Sequence, residues 1–173
     1  MAGLSMLGRV ANIASISDKP SVITAGDGAL SLLAQDTLAN AYRTIGVIEQ
    51  HDPGQARLVG VTPYSYAAGA IPVVKDEGVS ANILTGHFGP EIGLIAVPAG
   101  RTIGFVLDGT DSLTGQAVLY AAAEEPLIGE EFYAGAAYLN AGVVHTASLR
   151  AQDVLRWLVI AAILAAGFLK LVG

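Results

Sequence analysis

Three short segments of the chain combine glycine with side chains that could do acid–base or ligand chemistry. They are Ala25-Gly-Asp-Gly28, Thr85-Gly-His-Phe-Gly-Pro-Glu91 and Asp108-Gly-Thr-Asp111. Each follows a short apolar run, so each is predicted to lie where a β-strand ends. In an open parallel sheet such ends share one edge, where ligands bind and helix N-termini attract anions. The candidate ligand-binding residues are therefore Gly26, Gly28, Gly86, His87, Glu91, Asp108 and Asp111.

The same segments also fit ordinary turns. None of them matches GxGxxG or GxxxxGK[ST], so neither a dinucleotide site nor a P-loop is indicated. An Asp, Ser or Thr before a helix, such as Thr110 or Asp111, caps the helix without any ligand. Turn chemistry is the favoured interpretation, and the ligand site is the alternative.

Acidic side chains are predicted to gather on the same sheet edge. Carboxylates in such a cluster could hold Mg²⁺ or Ca²⁺, or they could stabilise the N-termini of separate helices. The second interpretation is favoured, and no metal or other cofactor is predicted. The residues concerned are Asp27, Glu91, Asp108, Asp111 and the pair Glu130-Glu131.

His87 follows a predicted strand, a position where a general base could act. No GxSxG nucleophile motif accompanies it. His51 and His145 do not complete a zinc-binding spacing with it. The sequence therefore predicts no catalytic residue, and we expect that the protein is not an enzyme.

Composition excludes several other classes of function. The 173 residues fit one domain with a short appendage. The chain has no cysteine, which rules out disulfides, thiolate metal sites and cysteine nucleophiles. Its net charge of −6 and nine dispersed basic residues argue against nucleic-acid binding, which needs clustered lysine and arginine.

Short apolar runs alternate with helical patterns along the chain, which predicts an α/β fold with a small, doubly wound, mostly parallel sheet of the Rossmann-like kind. Residues 1–20 are predicted to be an N-terminal segment, either a short helix or an extension, before an α/β domain over residues 21–148. The pattern predicts strands at residues 21–24, 57–62, 81–86, 102–107 and 126–129, and helices at 29–44, 63–78 (with Pro72 bending or restarting it), 88–96, 112–124 and 130–140.

The final segment, residues 149–173, is predicted to be a juxtamembrane stretch and a transmembrane helix. Residues 157–169 carry no charge, and a helix over residues 154–172 would be about 28 Å long, close to the thickness of a bilayer. Arg156 and Lys170 are placed to reach the headgroups at its two ends, and Trp157 to lie at one interface. A wholly apolar core helix is the alternative.

The placement of basic residues predicts the orientation of this helix. Arg150 and Arg156 precede the span and Lys170 follows it, which favours a cytoplasmic domain held by a single-pass tail anchor in the cell membrane. Small residues on the helix, and others framed by aromatics in residues 132–139, allow close approach between helices. They favour self-association; the alternatives are packing within the domain for residues 132–139 and contact with lipid for the helix. The small residues of the anchor are Ala161, Ala162, Ala165, Ala166 and Gly167.

Several runs resemble an uncharacterised family of bacterial and archaeal membrane-anchored proteins that carry a domain of unknown function. The runs are Pro63-Tyr-Ser-Tyr-Ala-Ala-Gly69, Glu77-Gly-Val-Ser-Ala-Asn-Ile-Leu-Thr-Gly-His-Phe-Gly-Pro-Glu91, Leu127-Ile-Gly-Glu-Glu131, Ala137-Tyr-Leu139 and Ser148-Leu-Arg-Ala-Gln-Asp-Val-Leu-Arg-Trp157. The resemblance covers most of the chain from residue 21 onward. It implies the anchor and the α/β fold, and it implies no reaction, cofactor or catalytic residue.

Together these observations predict a membrane-anchored structural or organising protein that assembles into a homo-oligomer through its α/β domain. Its expected partners are the lipid bilayer and its own copies. One alternative is a membrane-tethered enzyme or sensor that binds an anionic small molecule at the glycine-rich strand ends. Another is an accessory subunit that binds other subunits of a larger membrane complex.

Overall fold

The computed structural model describes residues 2–14, 21–132, 134 and 143–172, with side chains described for residues 7–14, 21–132, 134 and 153–167. Strands and helices alternate, so the predicted α/β class is confirmed. The strands are β1 (Ile23–Ala25), β2 (Ala56–Leu58), β3 (Ala81–Gly86), β4 (Phe105–Thr110) and β5 (Pro126–Leu127). The helices are α1 (Ala2–Ala14), α2 (Gly28–Thr44), α3 (Pro63–Asp76), α4 (Gly93–Thr102), α5 (Leu113–Ala122) and α6 (Val143–Val172).

The strands pair in two short parallel sheets, where the sequence predicts one. β1 pairs with β2, and the second sheet has the order β3-β4-β5. Parallel neighbours need a crossover connection, which α2, α4 and α5 supply. β3 and β4 run in register along their whole length, from Ala81 opposite Phe105 to Gly86 opposite Thr110. Their carboxyl ends therefore finish side by side.

Local capping signals explain where three of the helices begin. The carboxylate of Asp27 accepts the backbone N–H of Leu30 at 3.0 Å at the start of α2. Thr62 and Ser65 form a reciprocal capping box at the start of α3. Ser112 is the N-cap of α5, so the prediction that Thr110 or Asp111 caps this helix is wrong.

Several predicted boundaries are displaced: the strand predicted at residues 57–62 already ends at Leu58, and two further shifts concern α4 and β4. The helix predicted at residues 88–96 begins later, as a 3₁₀ turn at Pro90–Ile92 that continues into α4. β4 consequently starts three residues after the predicted strand, and Asp108, Gly109 and Thr110 lie within it instead of in a turn. The sequence pattern predicts a turn because Asp-Gly is common in turns, but all three residues are buried in the strand. Pro72 is accommodated inside α3, which is one helix.

The buried apolar residues form two clusters. The larger one joins α3, β3, β4, α4 and α5, and includes Ala70, Leu84, Ile95, Val106 and Leu119. The smaller one joins α1, α2 and β2 around Leu38. α1 is thus part of the packed fold, since Ala11 is fully buried against α2.

In contrast to α1, the C-terminal helix α6 has no buried residue among its described side chains. Every one of its residues from 153 to 167 is exposed, including Trp157. Within the residues that the structure describes, no helix offers a stretch of sufficient length and apolarity to cross a membrane. The side chains of Lys170 and His145 lie outside the described set, as do residues 135–140 of the helix predicted at 130–140; residues 130–132 and 134 are helical.

Candidate functional site

The candidate site is the edge where β3 and β4 end, and we call residues 86–91 together with 108–112 the strand-end edge. Because the two strands are in register, the residues that follow them are brought together across the edge. The backbone N–H of Asp111 donates to the carbonyl of Gly86 at 3.4 Å. A Cβ on Gly86 would lie 2.9 Å from the ring of Phe88, so this position needs glycine for close packing.

Thr110 is the polar centre of this edge. Its hydroxyl donates to the carbonyl of Phe88 at 2.9 Å and accepts the N–H groups of Phe88 at 2.9 Å and Ser112 at 3.2 Å. A hydroxyl has one proton and two lone pairs, so its capacity is filled. The side-chain amide of Gln116 extends the network by donating to the Thr110 carbonyl and accepting the N–H of Gly129.

His87 and Asp111 form an acid–base pair on the exposed surface of the strand-end edge. Nδ1 of His87 lies 2.7 Å from Oδ1 of Asp111, and 81% of the histidine side chain is exposed. The carboxylate orients the ring and favours a proton on Nδ1, which leaves Nε2 facing solvent as a base or ligand atom. This is the arrangement in which a histidine can exchange a proton with a bound molecule.

Glu91 is buried, and its carboxylate stabilises the loop to which it belongs. Its Oε1 accepts the N–H of Gly89 at 2.7 Å, two residues earlier in the chain. The carboxylate thus closes the turn that leads into α4. A role in ligand binding is not required to explain its burial.

Asp108 lies below the edge, in the interior of β4. Its side chain has no solvent exposure, and neither carboxylate oxygen has a hydrogen-bond partner among the described residues. Burial raises the pKa of the Asp108 carboxyl to about 6. A carboxyl of this kind, on the strand that leads to Asp111, is a functional candidate, because perturbed carboxyls concentrate at sites that move protons.

The remaining candidates lie elsewhere. Asp27 follows β1, in the other sheet, and caps α2. Gly26 packs against the ring of Tyr66. Tyr66 joins β1 to α3 by a 2.9 Å hydrogen bond between its hydroxyl and that of Thr24. Burial raises the pKa of Tyr66, an effect that this hydrogen bond offsets only in part. Gly28 opens α2 at a point where an added Cβ would have no atom within 4 Å.

The carboxylates predicted to gather on one edge are brought together in part, since Glu91, Asp108 and Asp111 belong to the strand-end edge. Asp27 belongs to the β1–β2 sheet, whereas Glu130 binds Arg156 of α6, which also lies 4.0 Å from Asp153. Across the part of the chain that is described, no group of three or more acidic or histidine side chains could hold a metal ion. Arg156, predicted to reach lipid headgroups, contacts Glu130 in the segment after β5.

Sequence reasoning misses three residues that organise the edge. Thr110 appears in the sequence only as a possible cap, and Gln116 carries no motif at all. Gly115 lets α5 approach the loop, since a Cβ there would lie 2.3 Å from the carbonyl oxygen of Phe88. A glycine three residues after the Ser112 cap is the one signal that points to this close approach.

Fold and site together define a small α/β domain with short parallel sheets and a histidine–carboxylate pair at one sheet edge. The chain belongs to a family described as a domain of unknown function, DUF6754, whose family model matches residues 1–173. The resemblance to an uncharacterised family is confirmed in that respect. Neither the curated proteins nor the solved structures contain a match to the chain.

Proposed function

We propose that this protein is a membrane-anchored organising protein, in which α6 is the anchor and the α/β domain associates with further copies of itself. The proposed location is the cell membrane, with the domain on the cytoplasmic side. No chemical reaction is assigned to it.

The exposure of α6 is the observation that carries the proposal. Residues 153–167 are exposed on all sides of the helix, and Leu158, Ile163 and Leu164 are each more than 60% exposed. A helix that is apolar all round is stable when an apolar environment surrounds it, which lipid provides. In the sequence the uncharged run continues to residue 169, within a helix of 30 residues.

Association between copies has separate support. Ala161 and Ala165 are one helical turn apart on α6 and give it a face of small residues, which allows close helix packing in lipid. On the domain, Leu113 and Tyr120 lie two turns apart on α5 and are 83% and 79% exposed. Confinement to a membrane raises the effective concentration of such surfaces for one another.

Vesicle flotation of the full chain tests the anchor. The wild-type chain is expected to float with phosphatidylcholine–phosphatidylglycerol vesicles. The double variant Leu158→Lys/Ile163→Lys, which puts two charges into the apolar helix, is expected to stay in the dense fraction. The matched variant Leu113→Lys/Tyr120→Lys adds the same charges on the domain and should float. Equal flotation of all three chains would contradict the anchor.

The same variants test association. Sedimentation of the detergent-extracted wild-type chain is expected to give an oligomer, and the Leu113→Lys/Tyr120→Lys variant a smaller species. A wild-type chain that sediments strictly as a monomer would rule out self-assembly. Co-purification of unrelated membrane subunits with that monomer would favour the accessory-subunit alternative.

A second candidate function is small-molecule binding at the strand-end edge. The specific observation in its favour is the exposed imidazole of His87, held at 2.7 Å by Asp111. Thermal-shift measurements with nucleotides, sugar phosphates and divalent metals test it. Stabilisation that is lost in His87→Gln and kept in His51→Gln would favour a ligand site; no stabilisation by any compound would count against it.

A further inference from the structure

The connections that follow the parallel strands lie on one face of the domain. The ring of Tyr66, near the start of α3, stacks on Phe88 after β3, and its hydroxyl lies 2.9 Å from that of Thr24 in β1. Gly60, after β2, packs so closely on Tyr66 that an added Cβ would collide with its backbone. Phe88 in turn binds Thr110 at the end of β4. These contacts join the carboxyl ends of both sheets, and we call residues 26–30, 59–64, 86–94, 111–113 and 128–130 the strand-end face.

Exposed apolar side chains recur where the helices begin on this face. Each of the four helices that follow a strand has one in its first turn, namely Leu30 in α2, Tyr64 in α3, Leu94 in α4 and Leu113 in α5. Val61, just before α3, is 72% exposed. None of the four first turns contains a charged residue. A set of exposed apolar side chains gathered on one face indicates a surface that contacts something.

The opposite ends of the same helices are charged. In the last turn or within two residues of it there is an exposed charged side chain, namely Arg43 for α2, Lys75 for α3, Arg101 for α4 and Glu124 for α5. The strand-end face contains no lysine or arginine. Two of its exposed carboxylates have local partners, since Asp27 caps α2 and Asp111 pairs with His87. Apolar and charged side chains are thus separated between the two ends of the domain.

The helix α6 comes closest to the domain at the strand-end face. Glu130, which follows β5 on this face, binds Arg156 of α6. The uncharged run of α6 begins with the next residue, Trp157, which is exposed. The start of that run is therefore within reach of one arginine side chain from the strand-end face. If α6 is held in lipid, this face is the part of the domain nearest to the bilayer.

We propose that the strand-end face lies against the neutral headgroup surface of the bilayer that holds α6. This inference rests on the proposed membrane anchor. Val61, Tyr64 and Leu113 contact the headgroup layer, where an aromatic side chain such as that of Tyr64 is favourable. Without lysine or arginine the face has nothing to attract anionic lipid, so neutral lipid is the partner. Copies in one membrane meet side by side, and a face directed at the bilayer is not where they bind each other.

Fluorescence quenching of the full chain in phosphatidylcholine vesicles tests this orientation. Because the chain has no cysteine, single cysteines can carry a fluorophore. Leu113→Cys and Tyr120→Cys are a matched pair, 83% and 79% exposed at opposite ends of α5. They are about 10 Å apart along the helix, so phosphatidylcholine with a headgroup spin label should quench the label at 113 at least about twofold more strongly. Val61→Cys should behave like Leu113→Cys. Quenching by lipid reports contact with lipid and not with a second copy.

The anchor is measured separately in the same vesicles. A label on Ile163→Cys in α6 should be quenched by phosphatidylcholine that carries the spin label in its acyl chain. Quenching at 163 together with equal quenching at 113 and 120 would overturn the orientation and leave the anchor standing. Absence of quenching at 163 would remove the anchor, and the orientation with it.

A measurement on the unsubstituted chain keeps the test decisive if a labelled variant does not fold. In nanodiscs that contain the lipid with the headgroup spin label, the NMR amide signals of residues 61 and 113 should broaden more than those of residues 76 and 120. The two pairs lie at opposite ends of α3 and α5. Equal broadening at the two ends of both helices would overturn the proposal.

Discussion

Nδ1 of His87 and Oδ1 of Asp111 lie 2.7 Å apart, although 24 residues separate them in sequence. The pairing of β3 with β4 accounts for this. Gly86 and Thr110 are opposite each other in the parallel register, so the next residue of each strand leaves the sheet at the same place. The pair is therefore a product of strand register, and its chemistry can be tested without knowledge of a ligand.

Removal of the carboxylate should change the tautomer of His87. In the wild-type chain the neutral ring should carry its proton on Nδ1, because Asp111 accepts it. In Asp111→Ala we expect a shift towards the Nε2-protonated ring, measured by ¹⁵N–¹H correlation of the imidazole nitrogens. His51 is the internal control, since its ring packs beside Tyr42, away from this edge. An unchanged His87 tautomer would show that the pair does not form in solution.

Thr110→Val should destabilise the domain. The change keeps the shape of the side chain and leaves two N–H groups and a carbonyl of Phe88 and Ser112 without their partner. The free energy of unfolding in urea should fall by about 2–3 kcal/mol. Thr110→Ser keeps the hydroxyl and should cost only about 1 kcal/mol for the lost methyl group. Equal losses in the two variants would mean that packing, not hydrogen bonding, is what Thr110 contributes.

The part of the fold that can be predicted from the sequence is the part that local signals determine. β3 is predicted with its observed bounds, since an apolar run ends at Gly86, and α2 begins behind the Asp27 cap as expected. Asp108 is predicted to lie in a turn because Asp-Gly is common there. Its burial depends on α4 ending later than predicted, which shifts β4 along the chain.

Only part of the candidate site can be predicted from the sequence, because local patterns do not show which strands pair. His87 and Asp111 are recognisable as strand-end residues, but their mutual contact depends on which strands pair and in what register. Asp27 has the same local pattern and lies in a different sheet. The Glu130–Arg156 pair joins residues far apart in sequence, so no local pattern indicates it.

Gly115→Ala should destabilise the chain although alanine is the better helix former. The new Cβ would lie 2.3 Å from the Phe88 carbonyl oxygen, and the resulting displacement should lower the free energy of unfolding by about 1–3 kcal/mol. Gly100→Ala is the matched control in α4, where the nearest atom is 3.8 Å away. That variant should gain about 0.5–1 kcal/mol. A stabilised Gly115→Ala chain would show that α5 does not pack against the loop this closely.

The contact between α6 and the domain can be tested by cross-linking, because the chain has no cysteine of its own. Cysteines at Glu130 and Arg156 should be joined within one chain by the shortest bifunctional methanethiosulfonate. Cysteines at Glu130 and Ile163 are the control pair, since Ile163 is two helical turns, about 10 Å, further along α6. Equal yields from both pairs would indicate that α6 has no defined position beside residue 130.

Asp108→Asn should stabilise the chain at high pH and not at low pH. The folded pKa is about 6 against an ordinary value of 3.8, so below pH 3.8 both states hold the proton and Asp108 brings no penalty. As the pH rises from 3.8 to 6 the unfolded chain releases its proton first, and the wild-type chain progressively loses stability. Above pH 6 the loss is complete, at about 3 kcal/mol. Urea unfolding at pH 8 should therefore show Asp108→Asn as the more stable chain, with the difference vanishing near about pH 3. A difference that does not vary with pH would mean that Asp108 is ionised or protonated alike in both states.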